Sequence, residues 1–82
     1  MINIALFGLG RIGQMHADNL IANPNFNLKY IFDIDIKLSK RLSKKYNCDA
    51  IESPSLAFKD KDIKCVFIAS STATHLKFIE EG

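Results

Sequence analysis

Three glycines and one aspartate carry the most legible chemistry in this sequence. Gly8, Gly10 and Gly13 stand as G-x-G-x-x-G directly after the apolar run Ile2-Asn3-Ile4-Ala5-Leu6-Phe7, and Asp33 lies twenty positions beyond Gly13. Between a strand and a helix the three glycines have separate tasks: Gly8 makes the tight turn, Gly10 lets the backbone approach a pyrophosphate, and Gly13 lets the helix lie close to the strand. The helix that follows aims its free N–H groups at the phosphates. A carboxylate at the position of Asp33 accepts hydrogen bonds from the adenosine ribose hydroxyls and repels a 2′-phosphate, which favours NAD over NADP. Lys37 is close enough in sequence to soften that preference. Glycines at this spacing also occur in plain turns and in some methyltransferase loops. The strand before them, the helix after them and the acid beyond are what point to a dinucleotide.

The other reactive side chains point to less. His16 falls about 100° from the small-residue face of its helix, as the helical period requires, and reads as a partly exposed histidine with no acid/base or metal partner at helical spacing. Cys48 and Cys65 lack C-x-x-C spacing, and no His or Cys cluster implies a metal. Cys65 sits in an apolar run and reads as a small buried hydrophobe in a reducing compartment. Lys37, Lys40, Arg41, Lys44 and Lys45 fall within nine positions. They could form a phosphate patch, but more simply they solvate the outer face of a helix. Asp33 itself could be a turn residue or a helix cap, although Asp35 is better placed to cap the next helix.

These residues must be positioned by alternating strands and helices. Residues 2–7 form a strand buried on both faces. A helix runs from about Arg11 to Ala22, turning Gly13, Ala17, Leu20 and Ile21 toward the sheet, and Asn23-Pro24-Asn25 ends it. Residues 27–33 read as the second strand. Asp35 to about Asn47 is helical, with Leu38, Leu42 and Tyr46 as its apolar stripe. Residues 48–51 suit a brief third strand, and Ser53-Pro54 starts a short helix as N-cap and first helical residue. That helix ends at Lys59-Asp60-Lys61-Asp62, which reads as an exposed loop. Residues 63–69 form a fourth strand with nearly continuous apolarity. Ser70, Ser71, Thr72 and Thr74 offer capping hydroxyls to a final helix over 76–81.

The sum is an α/β fold: the first part of a Rossmann-type doubly wound parallel sheet with strand order 3-2-1-4. The fourth strand is expected at an open edge, which implies a missing fifth. At 82 residues, 48% hydrophobic and 24% charged, the composition is that of a folded globular chain. It is shorter than most domains. Residues 1–82 are therefore expected to be an incomplete nucleotide-binding domain without its substrate domain. Eleven basic against nine acidic residues, a formal charge of +2, give no footprint for nucleic acid. No apolar stretch is long enough for a membrane span, and residue 1 leads directly into a strand without a signal core. A cytoplasmic protein is expected.

Taken together, Gly8-Leu9-Gly10-Arg11-Ile12-Gly13-Gln14-Met15-His16, Asp33 after the second strand, and Ile68-Ala69-Ser70-Ser71-Thr72-Ala73-Thr74-His75 after the fourth resemble the start of a Gfo/Idh/MocA-type sugar or polyol dehydrogenase. The inositol-oxidising members are the most similar. The resemblance implies an N-terminal NAD(P)-binding Rossmann domain, a second α/β domain with a large antiparallel sheet, and hydride transfer between a ring carbinol, best myo-inositol, and nicotinamide. It also implies catalytic residues outside this chain: a lysine in a Glu-Lys-Pro motif after the fifth strand, and an aspartate and a histidine in the second domain. No catalytic residue is assigned here. The cofactor half carries over: Gly8, Gly10, Arg11, Ile12 and Gly13 at the pyrophosphate turn, Asp33 at the adenosine ribose, and Ser70, Ser71 and Thr72 beside the nicotinamide ribose. His75 matches the histidine closing that run, as a cofactor contact or as a first-turn helix residue packed on the loop. Many members have proline where Ser71 stands, so this turn is less rigid here. The complete protein is expected to be a homo-oligomer. Two alternatives stand beside this reading: a fragment of a dihydrodipicolinate reductase-like enzyme, against which the Thr-Ala-Thr-His run argues, and a free-standing nucleotide-binding or sensor module without catalysis.

Overall fold

β1 (Ile2–Phe7) lies at the centre of the sheet because both of its faces are apolar. Ile4 and Leu6 point one way and Ala5 and Phe7 the other, and all four are buried. The computed structural model describes residues 2–69 and the backbone of 74–78. β2 (Phe26–Phe32) and β4 (Ile63–Ala69) flank β1 in parallel, and the two-residue β3 (Asp49–Ala50) extends β2. β5 (Thr74–Phe78) adds to β4 in antiparallel sense, so the full order is β3-β2-β1-β4-β5. The parallel part has the expected order 3-2-1-4.

Three helices fill the crossovers. α1 (Arg11–Ala22) and α2 (Ile36–Tyr46) close one face around Leu9, Ala17, Leu20, Leu28, Ile31, Leu42, Tyr46 and Cys65. α3 (Pro54–Lys59) covers the other, where Ala57 meets Ala5, Phe7, Ile51, Ile63 and Val66. Each large aliphatic side chain removed from water here contributes roughly 1.5–3 kcal/mol. The helix ends follow local rules. The Asp35 carboxylate accepts from the Leu38 N–H at 3.1 Å, and α2 stops at Asn47 in the left-handed region. Ser53 accepts from the Ser55 N–H, with Pro54 in the first turn of α3.

Each neighbour of β1 carries an irregularity at a lysine. In β2 the register passes from Ile4 opposite Leu28 to Ala5 opposite Tyr30, leaving Lys29 unpaired. In β4 it passes from Asn3 opposite Ile63 to Ile4 opposite Cys65, so that the register steps over Lys64. An extra residue of this kind reverses the alternation beyond it. That is why Leu28 and Ile31, three apart, share one core, and why Ile63 and Val66 share the other.

The structure departs from the sequence expectations in three places. Residues 74–78 are a strand, where a helix over 76–81 was expected. β4 offers a row of open N–H and C=O groups, and Thr74-His75-Leu76-Lys77-Phe78 alternates polar and apolar residues from His75 to Phe78, as a strand able to partner it would. The expected open edge is thereby covered. Ile21 is 48% exposed and is not part of the sheet-facing side of α1, because Leu20 already occupies the contact there and Ile21 is rotated 100° beyond it. The Lys59–Asp62 segment is not a fully exposed loop. The Asp60 carboxylate is 17% exposed and accepts from Lys29 Nζ and from the Tyr30 hydroxyl, each at 2.6 Å. The bulge at Lys29 sets these two donors side by side.

Candidate functional site

The turn from β1 into α1 is held by backbone and core together. The Gly8 N–H continues the ladder by donating to the Phe32 carbonyl at 2.8 Å. Gly8 then takes φ +97°, a left-handed conformation that glycine alone adopts without strain, and a Cβ there would also overlap the Ala69 carbonyl. Leu9 is wholly buried, its side chain rooted in the core under α1. Gly13 lies against the Gly8 carbonyl so closely that a Cβ would overlap that oxygen. Gly10 differs from both, because a Cβ built on it meets nothing within 4 Å. The free space at Gly10 opens outward into a cleft.

Gly10 is the N-cap of α1 and brings no capping side chain, so the first turn keeps its donors. The Gly10 carbonyl accepts from the Gln14 N–H at 2.9 Å. Among the described residues no acceptor takes the N–H groups of Gly10, Arg11, Ile12 or Gly13. Together with the positive end of the helix dipole, these donors suit an anion.

Asp33 follows β2 and faces the same turn. Its Oδ2 accepts from the Leu9 N–H at 2.7 Å and its Oδ1 from the Asp35 N–H at 2.8 Å. The turn role leaves Asp33 able to face a ligand as well, since each carboxylate oxygen has a second lone pair and Asp33 remains partly exposed. Gly8, Gly10, Arg11, Ile12, Gly13 and Asp33 line one cleft of about 330 Å³, together with Ala69. A second hollow of about 210 Å³ shares Gly8, Asp33 and Ala69 with it and is otherwise walled by Phe7, Phe32, Ile34 and Ile68. Ile34 is 90% exposed, an apolar side chain left at the mouth of an apolar hollow.

Six of the ten candidate residues thus surround one space. Ser70, Ser71 and Thr72 lie outside the described residues. His75 is in β5, its backbone opposite Ile68; the expectation that it begins a helix is not met, and its side chain lies outside the described residues. His16 packs its ring on Phe67, centroids 4.7 Å apart, and is not among the residues that line either cleft. Sequence reasoning gave no role to Ala69 or Gln14. Ala69 was visible only as the last residue of β4, and parallel strands end together beside the turn. Gln14 Nε2 donates to the Leu9 carbonyl at 3.0 Å, for which a polar side chain just after the third glycine was the only trace.

The sequence pattern of the oxidoreductase family with an NAD-binding Rossmann fold, Gfo/Idh/MocA, matches residues 2–82. An uncharacterized oxidoreductase of Bacillus subtilis, YrbE, is 34% identical over 78 residues, 94% of this chain and 23% of that protein. Myo-inositol 2-dehydrogenase of Thermotoga maritima is 30% identical over 79 residues, 95% of this chain and 24% of that one. Among solved structures, a myo-inositol dehydrogenase from Corynebacterium glutamicum superposes with a TM-score of 0.79 and 42% identity, over 88% of this chain and 22% of its own. The chain spans about a quarter of the length of the curated relatives it matches.

Proposed function

The chain belongs to the Gfo/Idh/MocA oxidoreductase family with its NAD-binding Rossmann fold, and from that premise we propose that it is the cofactor-binding part of an NAD-dependent dehydrogenase acting on a polyol or sugar, with myo-inositol as the substrate. The observation that carries the reading is the single cleft joining the donors of Gly10–Gly13 to the Asp33 carboxylate. A pyrophosphate fits the donor end, where the missing Cβ of Gly10 leaves room for it. The ribose hydroxyls fit Asp33, and the flat ring faces of adenine fit the neighbouring hollow between Phe7, Phe32, Ile34 and Ile68. Asp33 brings a negative charge to the place a 2′-phosphate would occupy, so NAD is preferred to NADP. NAD, when bound, supplies the hydride acceptor. This chain's residues contribute orientation: fixed donors and a fixed carboxylate hold the cofactor without rearrangement, which is how binding energy becomes rate. Inositol as the substrate rests on the dehydrogenases from Thermotoga and Corynebacterium.

Titration of the isotopically labelled chain with ADP and NAD, followed by amide shifts, tests the site. Weak binding is expected, with shifts centred on Gly8–Gly13 and Asp33 and no turnover of myo-inositol. Shifts centred on the opposite end of the sheet, or none at millimolar ligand, would remove the assignment. Nanomolar affinity, or myo-inositol-dependent reduction of NAD, would overturn the view that this chain carries only the cofactor half.

A further inference from the structure

Leu9 is completely shielded from water, yet it sits in a turn outside both β1 and α1, so neither element satisfies its peptide groups. A buried N–H or C=O must find a protein partner. Leu9 has one on each side: its N–H donates to Asp33 Oδ2 at 2.7 Å, and its carbonyl accepts from Gln14 Nε2 at 3.0 Å. Only the nitrogen of the Gln14 amide can serve, because the partner is an acceptor. Gln14 reaches back from the first turns of α1, while its own backbone N–H is held by the Gly10 carbonyl at 2.9 Å.

The Leu9 carbonyl and the Gly10 N–H belong to one peptide unit. That unit is planar and trans, so the two groups point in opposite directions. A donor that fixes the Leu9 carbonyl therefore fixes the Gly10 N–H as well, aiming it away from Gln14. Gly10 is the residue whose missing side chain leaves the cleft open, and its N–H has no acceptor among the described residues. Asp33 does the same for the preceding peptide through the Leu9 N–H. We infer that Gln14 is a positioning residue: its side-chain amide orients the Leu9–Gly10 peptide so that the Gly10 N–H faces the diphosphate of the cofactor. The inference deepens the proposed function and rests on it for the identity of the ligand.

Gln14→Met keeps the length of the side chain and removes the donor. In the labelled full chain without ligand, the residual dipolar coupling of the Gly10 N–H should change, while those of β1 and β4 stay as in the wild type. ADP affinity should fall about tenfold, the usual worth of one well-placed hydrogen bond, and adenosine, which has no diphosphate, should bind as before. An unchanged Gly10 orientation with unchanged ADP affinity would overturn the inference, as would an equal loss for ADP and adenosine. If the wild type binds no ADP, the proposed function falls, and the Gly10 coupling alone then decides the role of Gln14. Should Gln14→Met not fold, Gln14→Glu replaces it. Its carboxylate cannot donate at neutral pH but can once protonated, so the Gly10 coupling must return to the wild-type value on acidification, and failure to return counts against the inference.

Discussion

Gly13 touches the carbonyl of Gly8 so closely that no side chain fits between helix and turn. Replacing an interior helical glycine with alanine normally stabilises a helix by about 1 kcal/mol. Here the sign reverses, because the added methyl meets a backbone oxygen that can only move if the turn opens. Gly13→Ala should destabilise the chain by about 1–3 kcal/mol, read from the midpoint of a urea transition. A stabilised variant would show that the contact relaxes freely.

Gly10 gives the opposite expectation. Its φ is −67° and a Cβ would stand in open space, so Gly10→Ala should leave stability within about 0.5 kcal/mol of wild type. The methyl would project into the cleft and displace a bound diphosphate. Amide-shift titration should show ADP binding lost with the fold intact. Normal ADP affinity in this variant would place the diphosphate elsewhere.

Asp33 holds the Leu9 N–H and, in the proposed complex, the adenosine ribose, and its removal should show both. Asp33→Ala leaves the buried Leu9 N–H without an acceptor, a loss of about 1–3 kcal/mol in stability. In the complete dehydrogenase proposed above, the KM for NAD should rise far more than that for NADP, since only NAD loses the ribose contact and only NADP is relieved of the charge. Equal changes for the two cofactors would take Asp33 out of the ribose site.

The Asp60 cluster predicts an acid limb. Hydrogen bonds from Lys29 and then Tyr30, reinforced by the Asp62 N–H, lower the Asp60 carboxyl to about 2. Its folded value lies below its unfolded one, so this stabilisation is fully present above about pH 4 and is lost as pH falls toward 2. Lys29 and Tyr30 are both raised, chiefly by the same hydrogen bonds to Asp60. Their contribution is present below about pH 10 and is lost in more alkaline solution. Asp60→Asn should flatten both limbs of a plot of unfolding midpoint against pH. A variant that keeps the wild-type acid limb would assign it to another carboxylate.

The cysteines should be inert while the chain is folded. Burial, with the Asp49 charge in second place, pushes the Cys48 thiol up to about 11, and burial also raises Cys65. With thiolate scarce at pH 8, labelling by a thiol reagent should be slow until denaturant is added. Rapid labelling of Cys48 in the native chain would contradict this.

How much of this was legible in the sequence differs from residue to residue. The span of α1, the capping of α2 by Asp35 and the Ser53-Pro54 start of α3 depend on neighbours within four positions, and the chain itself states them. Gly8, Gly13 and Asp33 were legible because a turn between a buried strand and a helix accepts few residue types. The lysine bulges were not, since Lys29 and Lys64 look like polar interruptions until β1 fixes which residues pair across it. Nor was the bond from Gln14 to Leu9, because a glutamine on a helix has many partners within reach.

By itself, then, the sequence determined the order of strand, glycine turn and helix, the spacing of the acid beyond them, and the parallel order 3-2-1-4. The first two follow from local sterics and residue spacing, and the order 3-2-1-4 from the doubly wound fold that this pattern implies. Tertiary structure decided that residues 74–78 pair with β4 in place of forming a helix, that Asp60 gathers Lys29 and Tyr30 across the sheet, and that the Leu9 peptide is held from both sides. Each of those depends on which backbone groups and side chains the folded chain leaves without water or a partner, and that is known only once distant segments have met.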